Sequence, residues 1–154
     1  MRPRALTPSN SRVRALPRCG VIDPAERPSL LVISGNAVDR HLISRLVTRQ
    51  FEVAEARDGD EAIDILSTQS FDVVVLDLTL PRLRGIDVLA YYHGRYPKRR
   101  NVIVTGRREQ FAPIDPDAAV FTLVRKPLDV LAFMALLREC ARRQRTLAAI
   151  RLSA

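Results

Sequence analysis

Three side chains that could handle a phosphoryl group each follow a mainly apolar stretch of the chain. Asp77 comes directly after the aliphatic residues 73–76, Thr105 ends a second aliphatic run, and Lys126 follows the apolar segment 119–124. A carboxylate can act as a nucleophile and carry an acyl phosphate, whereas a hydroxyl and an ammonium can hold phosphoryl oxygens. Each residue alone has an ordinary explanation, as a strand residue or a solvated charge. If the fold brings them together, they predict a phosphate-handling site.

Asp77 is the strongest of the three candidates. The residues before it are β-branched or aliphatic, which is typical of a strand that is buried on both faces. A carboxylate at the end of such a strand carries a desolvation cost that function usually explains. By contrast, His41 and His93 have no partner at metal-ligand spacing, and we assign them no chemistry.

From Ser29 onward the hydrophobic pattern alternates between short apolar runs and residues at helical spacing. The apolar runs predict five strands, at residues 30–33, 51–56, 73–77, 101–105 and 119–124. The helical spacing predicts helices that start near Val38, at an N-cap on Asp58, near Ile86 and near Leu128. This alternation indicates an α/β fold, a doubly wound five-stranded parallel sheet with helices on both faces.

The connection between the fourth and fifth strands breaks the pattern. Residues 106–117 include Pro113 and Pro116, which exclude a regular helix beyond a single turn. We therefore expect a degraded fourth helix, with most of this crossover in a loop.

The predicted topology decides where the candidate residues meet. In an open α/β sheet, ligands bind in a crevice outside the carboxyl ends of the strands. The carboxyl ends of the first, third, fourth and fifth strands are expected to converge there. The residues at these ends are Ser34, Gly35, Asn36, Asp77, Thr105 and Lys126. Asp77, Thr105 and Lys126 are therefore expected at one rim.

The formal net charge of +8 is concentrated at the two ends of the chain. Residues 1–28 contain six Arg against two acids, and residues 138–154 contain five Arg against Glu139. The remainder is neutral, so a basic groove built into the fold is not predicted and nucleic acid is not expected as a partner. A weaker hypothesis, DNA binding through the tails, stays open.

Three regions follow from this composition: a disordered basic tail at 1–28, one globular domain at 29–140, and a basic C-terminal helical extension at 141–154. On the predicted C-terminal helix, Arg138, Arg142 and Arg145 form a basic stripe. A solvated face is favoured for it over a partner-binding face.

Two cysteines without metal-ligand spacing, and no apolar run long enough to span a bilayer, predict a cytoplasmic protein with no membrane partner.

These motifs resemble the receiver domain of response regulators. The resemblance covers residues 29–140, and the spacing of 28 residues from Asp77 to Thr105 and 21 from Thr105 to Lys126 suits that family. Four segments carry it in order: Val32-Ile33-x-x-Asn36, Asp77-Leu78-Thr79-Leu80-Pro81-x-x-x-Gly85, Ile103-Val104-Thr105-Gly106 and Lys126-Pro127.

The resemblance implies a flavodoxin-like strand order of 2-1-3-4-5 and a signalling module in a two-component or phosphorelay pathway, not an enzyme. Asp77 would be the phosphoacceptor, and a histidine kinase or phosphotransfer protein would be its donor. Thr105 and Lys126 would contact the phosphoryl group. Since no output module follows in this sequence, we expect a protein target to be contacted through the receiver surface itself.

The chain departs from the family at the metal site. Where the family has two adjacent acids that hold Mg²⁺, this chain has Ser34 and Gly35. Magnesium prefers charged oxygen ligands, so we expect any Mg²⁺ site to be weakened, with Asp77 as its one remaining carboxylate. Arg84 stands where the family often has an acid, and Arg107 follows the Thr105-Gly106 turn. Two alternatives stay open for either arginine: it offsets a phosphoryl group, or it pairs with Asp77.

Two hypotheses remain open. In the first, the chain is a single-domain receiver that is phosphorylated on Asp77. In the second, it is a pseudo-receiver, a protein-protein interaction module that acts independently of phosphorylation. Retention of Asp77, Thr105 and Lys126 favours the first, whereas Ser34 and Gly35 favour the second.

Overall fold

The computed structural model describes residues 27–112, 114 and 121–153. Strands and helices alternate along it, as the hydrophobic pattern predicts. The strands are β1 (Ser29–Ile33), β2 (Glu52–Ala56), β3 (Val73–Asp77), β4 (Val102–Gly106) and β5 (Phe121–Arg125). The helices are α1 (Ala37–Val47), α2 (Gly59–Thr68), α3 (Gly85–Arg95) and α4 (Val130–Ser153), and a short 3-10 helix spans Arg108–Phe111.

The five strands form one parallel sheet in the order β2-β1-β3-β4-β5. This confirms the order that the resemblance implied. The register places Asp77 of β3 directly beside Thr105 of β4, and Thr105 beside Val124 of β5. The ends of the central strands therefore meet at one edge, as predicted.

Each face of the sheet supports its own apolar cluster. Along β3, Val74 and Leu76 pack with residues of α2 and α3, while Val73 and Val75 pack with residues of α1 and α4. Alternation of side chains along a strand explains this division. Because β3 is buried on both sides, its position in the centre of the sheet is fixed, and so is the position of the carboxylate at its end.

Side-chain caps set the start of the first two helices. Asn36 Oδ1 accepts from the backbone N–H of Val38 at 2.9 Å, which begins α1 immediately after the β1 edge. Asp58 Oδ1 accepts from Glu61 N at 2.8 Å, as predicted. The Glu61 carboxylate accepts from the backbone N–H of Arg57, one residue before the cap. Such caps satisfy amide groups that have no partner inside the helix.

The apolar face predicted for α1 is wider than the core can cover. Ile43 and Val47 are buried, but Val38 is 73% exposed and Leu42 is 52% exposed. A helix at the surface of a sheet buries only one stripe, and the remaining apolar residues of α1 lie outside it.

The crossover from β4 to β5 contains, within its described residues, a single 3-10 turn at Arg108–Phe111. No α-helix occurs in that described part, which agrees with the predicted degraded fourth helix. Pro113 and Pro116, on which the prediction rested, lie outside the described residues.

The last helix, α4, is continuous from Val130 to Ser153 and includes the predicted extension at 141–154 up to its penultimate residue. The basic stripe on it is partly used within the chain: Arg142 pairs with Glu139, and Arg145 pairs with Asp72. Across residues 27–112, 114 and 121–153, no helix combines the length and apolar character needed to cross a membrane. Residues 1–26 of the predicted tail at 1–28 lie outside the described residues.

Candidate functional site

Asp77 lies at the carboxyl end of β3 with only 3% of its surface exposed. Both carboxylate oxygens accept hydrogen bonds. Oδ1 accepts from the backbone N–H of Thr79 at 2.9 Å, and Oδ2 accepts from Lys126 Nζ at 2.6 Å and from Ser34 Oγ at 3.2 Å. These contacts offset the cost of burying the charge, and they fix the orientation of the carboxylate.

Lys126 connects the β5 edge to the centre of the site. Its backbone N–H donates to Gly106 O at 2.9 Å, which holds the residue against the end of β4, and its peptide bond to Pro127 is cis. Burial lowers the pKa of the Lys126 ammonium, but hydrogen bonds to Asp77 and Asp39 and their charges outweigh burial, so the pKa is raised. The side chain is therefore a cation throughout the physiological range.

Asp39, in the first turn of α1, is a site residue that sequence reasoning missed. Its Oδ2 accepts from Lys126 Nζ at 2.9 Å, so one ammonium bridges two carboxylates. The cluster of Asp39, Asp77 and Lys126 has a formal charge of −1, whereas Asp77 and Lys126 alone sum to zero. A signal was present in the sequence: Asp39 is three residues after Asn36, whose cap places the first turn of α1 at this edge of the sheet.

Thr105 is buried beside Asp77 in the register of β3 and β4. Its carbonyl accepts from Leu78 N at 3.0 Å, which ties the segment after β3 to β4. The structure thus brings Asp77 into contact with Lys126 and places Thr105 on the adjacent strand. Leu123 of β5 packs against the apolar cluster on the α2–α3 face.

A cavity of about 900 Å³ opens above Asp77. The side chains around it come from the ends of β1, β3, β4 and β5, and the charged ones are Asp39, Asp77, Arg107, Glu109 and Lys126. Gln110 bridges two walls of the cavity, since its amide donates to Thr79 Oγ1 at 2.7 Å and accepts from Arg107 N at 2.7 Å.

The two arginines singled out in the sequence have different surroundings. Arg107 is exposed and lines the cavity above Asp77. Arg84 instead donates to Asp87 on α3, with Nε 3.0 Å from Oδ2, and does not line the cavity. Of the two, only Arg107 is placed to meet a ligand there.

The corner of the site where the resemblance implies Mg²⁺ leaves no room for a side chain at residue 35. A Cβ atom added at Gly35 would lie 2.8 Å from Pro81 Cδ and 3.4 Å from Thr79 O. Ser34 provides a hydroxyl that already donates to Asp77. Among the described residues no group of three or more Asp, Glu, His or Cys is arranged to hold a metal ion. The donors at this corner therefore do not fit Mg²⁺, which requires several oxygen ligands in near-octahedral geometry.

Changing Asp39 to asparagine is expected to lower the free energy of unfolding by about 0.5–1 kcal/mol, because the lost ion pair is partly exposed. Asp64→Asn, an exposed acid on α2, is the matched control and is expected to change stability by less. Urea denaturation of both variants measures the difference. Equal stability of the two variants would show that Asp39 contributes nothing to holding Lys126.

Comparison with known proteins gives relatives with the same domain. A family model described as the response regulator receiver domain matches residues 30–138. Response regulator MprA of Mycobacterium tuberculosis is 30% identical over 117 residues, which cover 74% of this chain and 50% of that protein. A protein-glutamate methylesterase/protein-glutamine glutaminase of Pyrococcus horikoshii is 37% identical over 71 residues, covering 44% of this chain and 19% of that protein. The chain spans half or less of the length of these two curated relatives.

Solved structures share the fold. The response regulator receiver domain protein from Clostridium thermocellum matches with a TM-score of 0.67 at 23% identity, covering 78% of this chain and 98% of that one. The receiver domain of an HD domain-containing protein from Pseudomonas fluorescens Pf-5 matches with a TM-score of 0.68 at 24% identity, covering 80% of this chain and 93% of that one. Identities this low establish the fold alone.

Receiver domains are signalling modules that interact with histidine kinases or phosphotransfer proteins, and they are not normally enzymes. The family model spans more than half of the chain and includes Asp77 in β3 and Thr105 in β4. The sequence relationship and the strand order agree, and the chain belongs to the response regulator receiver domain family of two-component signalling.

Proposed function

We propose that this receiver accepts a phosphoryl group on the carboxylate of Asp77, from a histidine kinase or phosphotransfer protein. The observation that carries the proposal is the 2.6 Å contact between Asp77 and Lys126 at the floor of an open cavity. A buried carboxylate that is held by a cation and still faces a cavity has both the orientation and the access that a nucleophile needs.

In the proposed reaction an oxygen of Asp77 attacks the phosphorus of a phosphohistidine. The P–N bond breaks, and its electron pair stays on the imidazole nitrogen. Lys126 would neutralise charge on the phosphoryl oxygens, and the hydroxyl of Thr105, on the adjacent strand, would contact them. The phosphorylated domain would then contact a protein target through its own surface.

A second candidate function is a pseudo-receiver that binds a protein partner independently of phosphorylation. The observation that favours it is the close approach of Pro81 to Gly35, which leaves no room for an acidic side chain at residue 35, together with the hydrogen bond from Ser34 to Asp77. In that case the contacts around Asp77 would stabilise the fold without accepting a phosphoryl group.

The deciding experiment is incubation of the protein with acetyl phosphate and Mg²⁺, followed by intact-protein mass spectrometry. We expect the mass increase of one phosphoryl group in the wild type and in Asp64→Asn, and none in Asp77→Asn. An adduct that persists in Asp77→Asn would place the acceptor elsewhere. Absence of any adduct in the wild type would favour the pseudo-receiver.

A further inference from the structure

We infer that the Asp77 site receives its phosphoryl group without a divalent cation, with Lys126 in place of the metal. This inference rests on the proposed function, since it takes Asp77 as the phosphoacceptor. Three features of the site support it: the space beside Gly35, the donors around Asp77, and the charges that line the cavity.

The space that a second acidic side chain would need is occupied by the segment after β3. Pro81 Cδ is 2.8 Å from the position of a Cβ atom at Gly35, a separation that real Cβ atoms essentially never show. The carbonyl oxygen of Thr79 is 3.4 Å from the same position. The segment therefore packs directly on the glycine backbone, and a side chain at residue 35 requires that segment to move.

The donors that remain are already engaged with each other. Ser34 donates its hydroxyl proton to Asp77 Oδ2 and accepts from Asn36 N at 3.2 Å. Asp77 Oδ2 also accepts from Lys126. A divalent ion bound to this oxygen would have to displace an ammonium that both Asp77 and Asp39 hold. In place of the two acids that the resemblance implies after β1, it would find only the neutral hydroxyl of Ser34.

Two cations of the cavity are placed to meet the product, Lys126 and Arg107. With acetyl phosphate as donor, an Asp77 oxygen bonds to phosphorus, the P–O bond to the acetyl group breaks, and acetate leaves with the electron pair. The Asp77 side chain changes from −1 to −2. Lys126 then faces an acyl phosphate and Asp39, while Arg107 provides a second cation and Glu109 a further acid on the same cavity. With Asp77 phosphorylated, these five groups have a net formal charge of −2, so the two cations offset part of the negative charge and Lys126, in contact with Asp77, is the nearer of them.

The first test measures the rate of adduct formation from acetyl phosphate by mass spectrometry, once with excess EDTA and once with Mg²⁺. We expect the two rates to agree within about twofold, whereas a metal that carried transition-state charge would make chelation cost on the order of a hundredfold or more. An adduct that forms only with Mg²⁺ would overturn this inference and leave Asp77 as the phosphoacceptor. Absence of an adduct under both conditions would overturn the proposed function as well.

The second test measures Mn²⁺ binding by electron paramagnetic resonance and does not depend on phosphorylation. We expect the wild type to show no saturable Mn²⁺ binding that depends on Asp77, so wild type and Asp77→Asn should give the same result. The variant Ser34→Asp/Gly35→Asp/Pro81→Ala, which restores both acids and makes room for them, is expected to bind Mn²⁺ more tightly than Ser34→Asp/Gly35→Asp. Saturable binding in the wild type that disappears in Asp77→Asn would overturn the inference, and equal binding by the two acid-restored variants would overturn the role given to Pro81.

Discussion

Replacing Lys126 by methionine is expected to lower the free energy of unfolding by about 2–4 kcal/mol, because it breaks an ion pair whose carboxylate is buried. Methionine keeps the volume of the side chain but removes the ammonium. Asp77, which is almost completely buried, would then retain only the hydrogen bonds from Thr79 and Ser34. A buried carboxylate without its cation is much more costly than the intact pair. Urea denaturation, with the slope of the transition checked for each variant, measures the loss.

Two comparisons separate this effect from a general loss of lysine. Lys98→Met, at an exposed position, is expected to change stability by less than about 0.5 kcal/mol. The double variant Lys126→Met/Asp77→Asn is expected to recover part of the lost stability, because the unpaired charge is removed as well. If the double variant is less stable than Lys126→Met alone, the cost comes from packing and not from the orphaned carboxylate.

The pH dependence of the Lys126→Met effect has a defined sign. Asp77 and Asp39 raise the pKa of Lys126 in the folded protein above its usual value of 10.5. A raised pKa contributes stability that is fully present below the unfolded value and is lost as the pH rises through the folded value. The contribution of the ammonium to the difference in unfolding free energy between wild type and Lys126→Met is therefore fully present at neutral pH and is lost as the pH rises through the raised pKa of Lys126.

Much of the arrangement could be predicted from the sequence because it follows from the ends of strands. An aliphatic run before Asp77 defines a strand with two buried faces, and parallel strands end at a common edge. These two facts bring Asp77 and Thr105 together without any knowledge of side-chain contacts, and they place Lys126 at the same edge. The strand order itself came from the resemblance, since alternation alone does not determine it.

The parts that were not predicted depend on contacts between distant side chains. The cap at Asn36 indicates that Asp39 lies at this edge of the sheet, but its partner Lys126 is 87 residues away in sequence and no local pattern identifies it. The approach of Pro81 to Gly35 could not be predicted either, because it depends on the position of the Pro81 ring relative to a residue without a side chain. Local sequence patterns predict the strands and helices, whereas contacts such as these two depend on residues that are far apart in the sequence.

Gly35→Ala is the second substitution with a large expected effect, and it tests the crowding between residue 35 and Pro81 without adding charge. The new methyl group would meet Pro81 Cδ at 2.8 Å, so the segment after β3 must shift, at a cost of about 1–3 kcal/mol in unfolding free energy. Gly94→Ala is the matched control, because no atom lies within 4 Å of the added Cβ near the end of α3. There, alanine is expected to stabilise the helix by about 0.5–1 kcal/mol.

Relief of the clash identifies its cause. In Gly35→Ala/Pro81→Ala the Cδ atom that meets the new methyl group is absent, so the double variant should lose less stability than the sum of the two single changes. Strict additivity, or a Gly35→Ala variant as stable as the wild type, would show that the segment yields freely. Residue 35 would then have room for an acidic side chain, and only the contacts of Asp77 with Ser34 and Lys126 would disfavour a metal ion at the site.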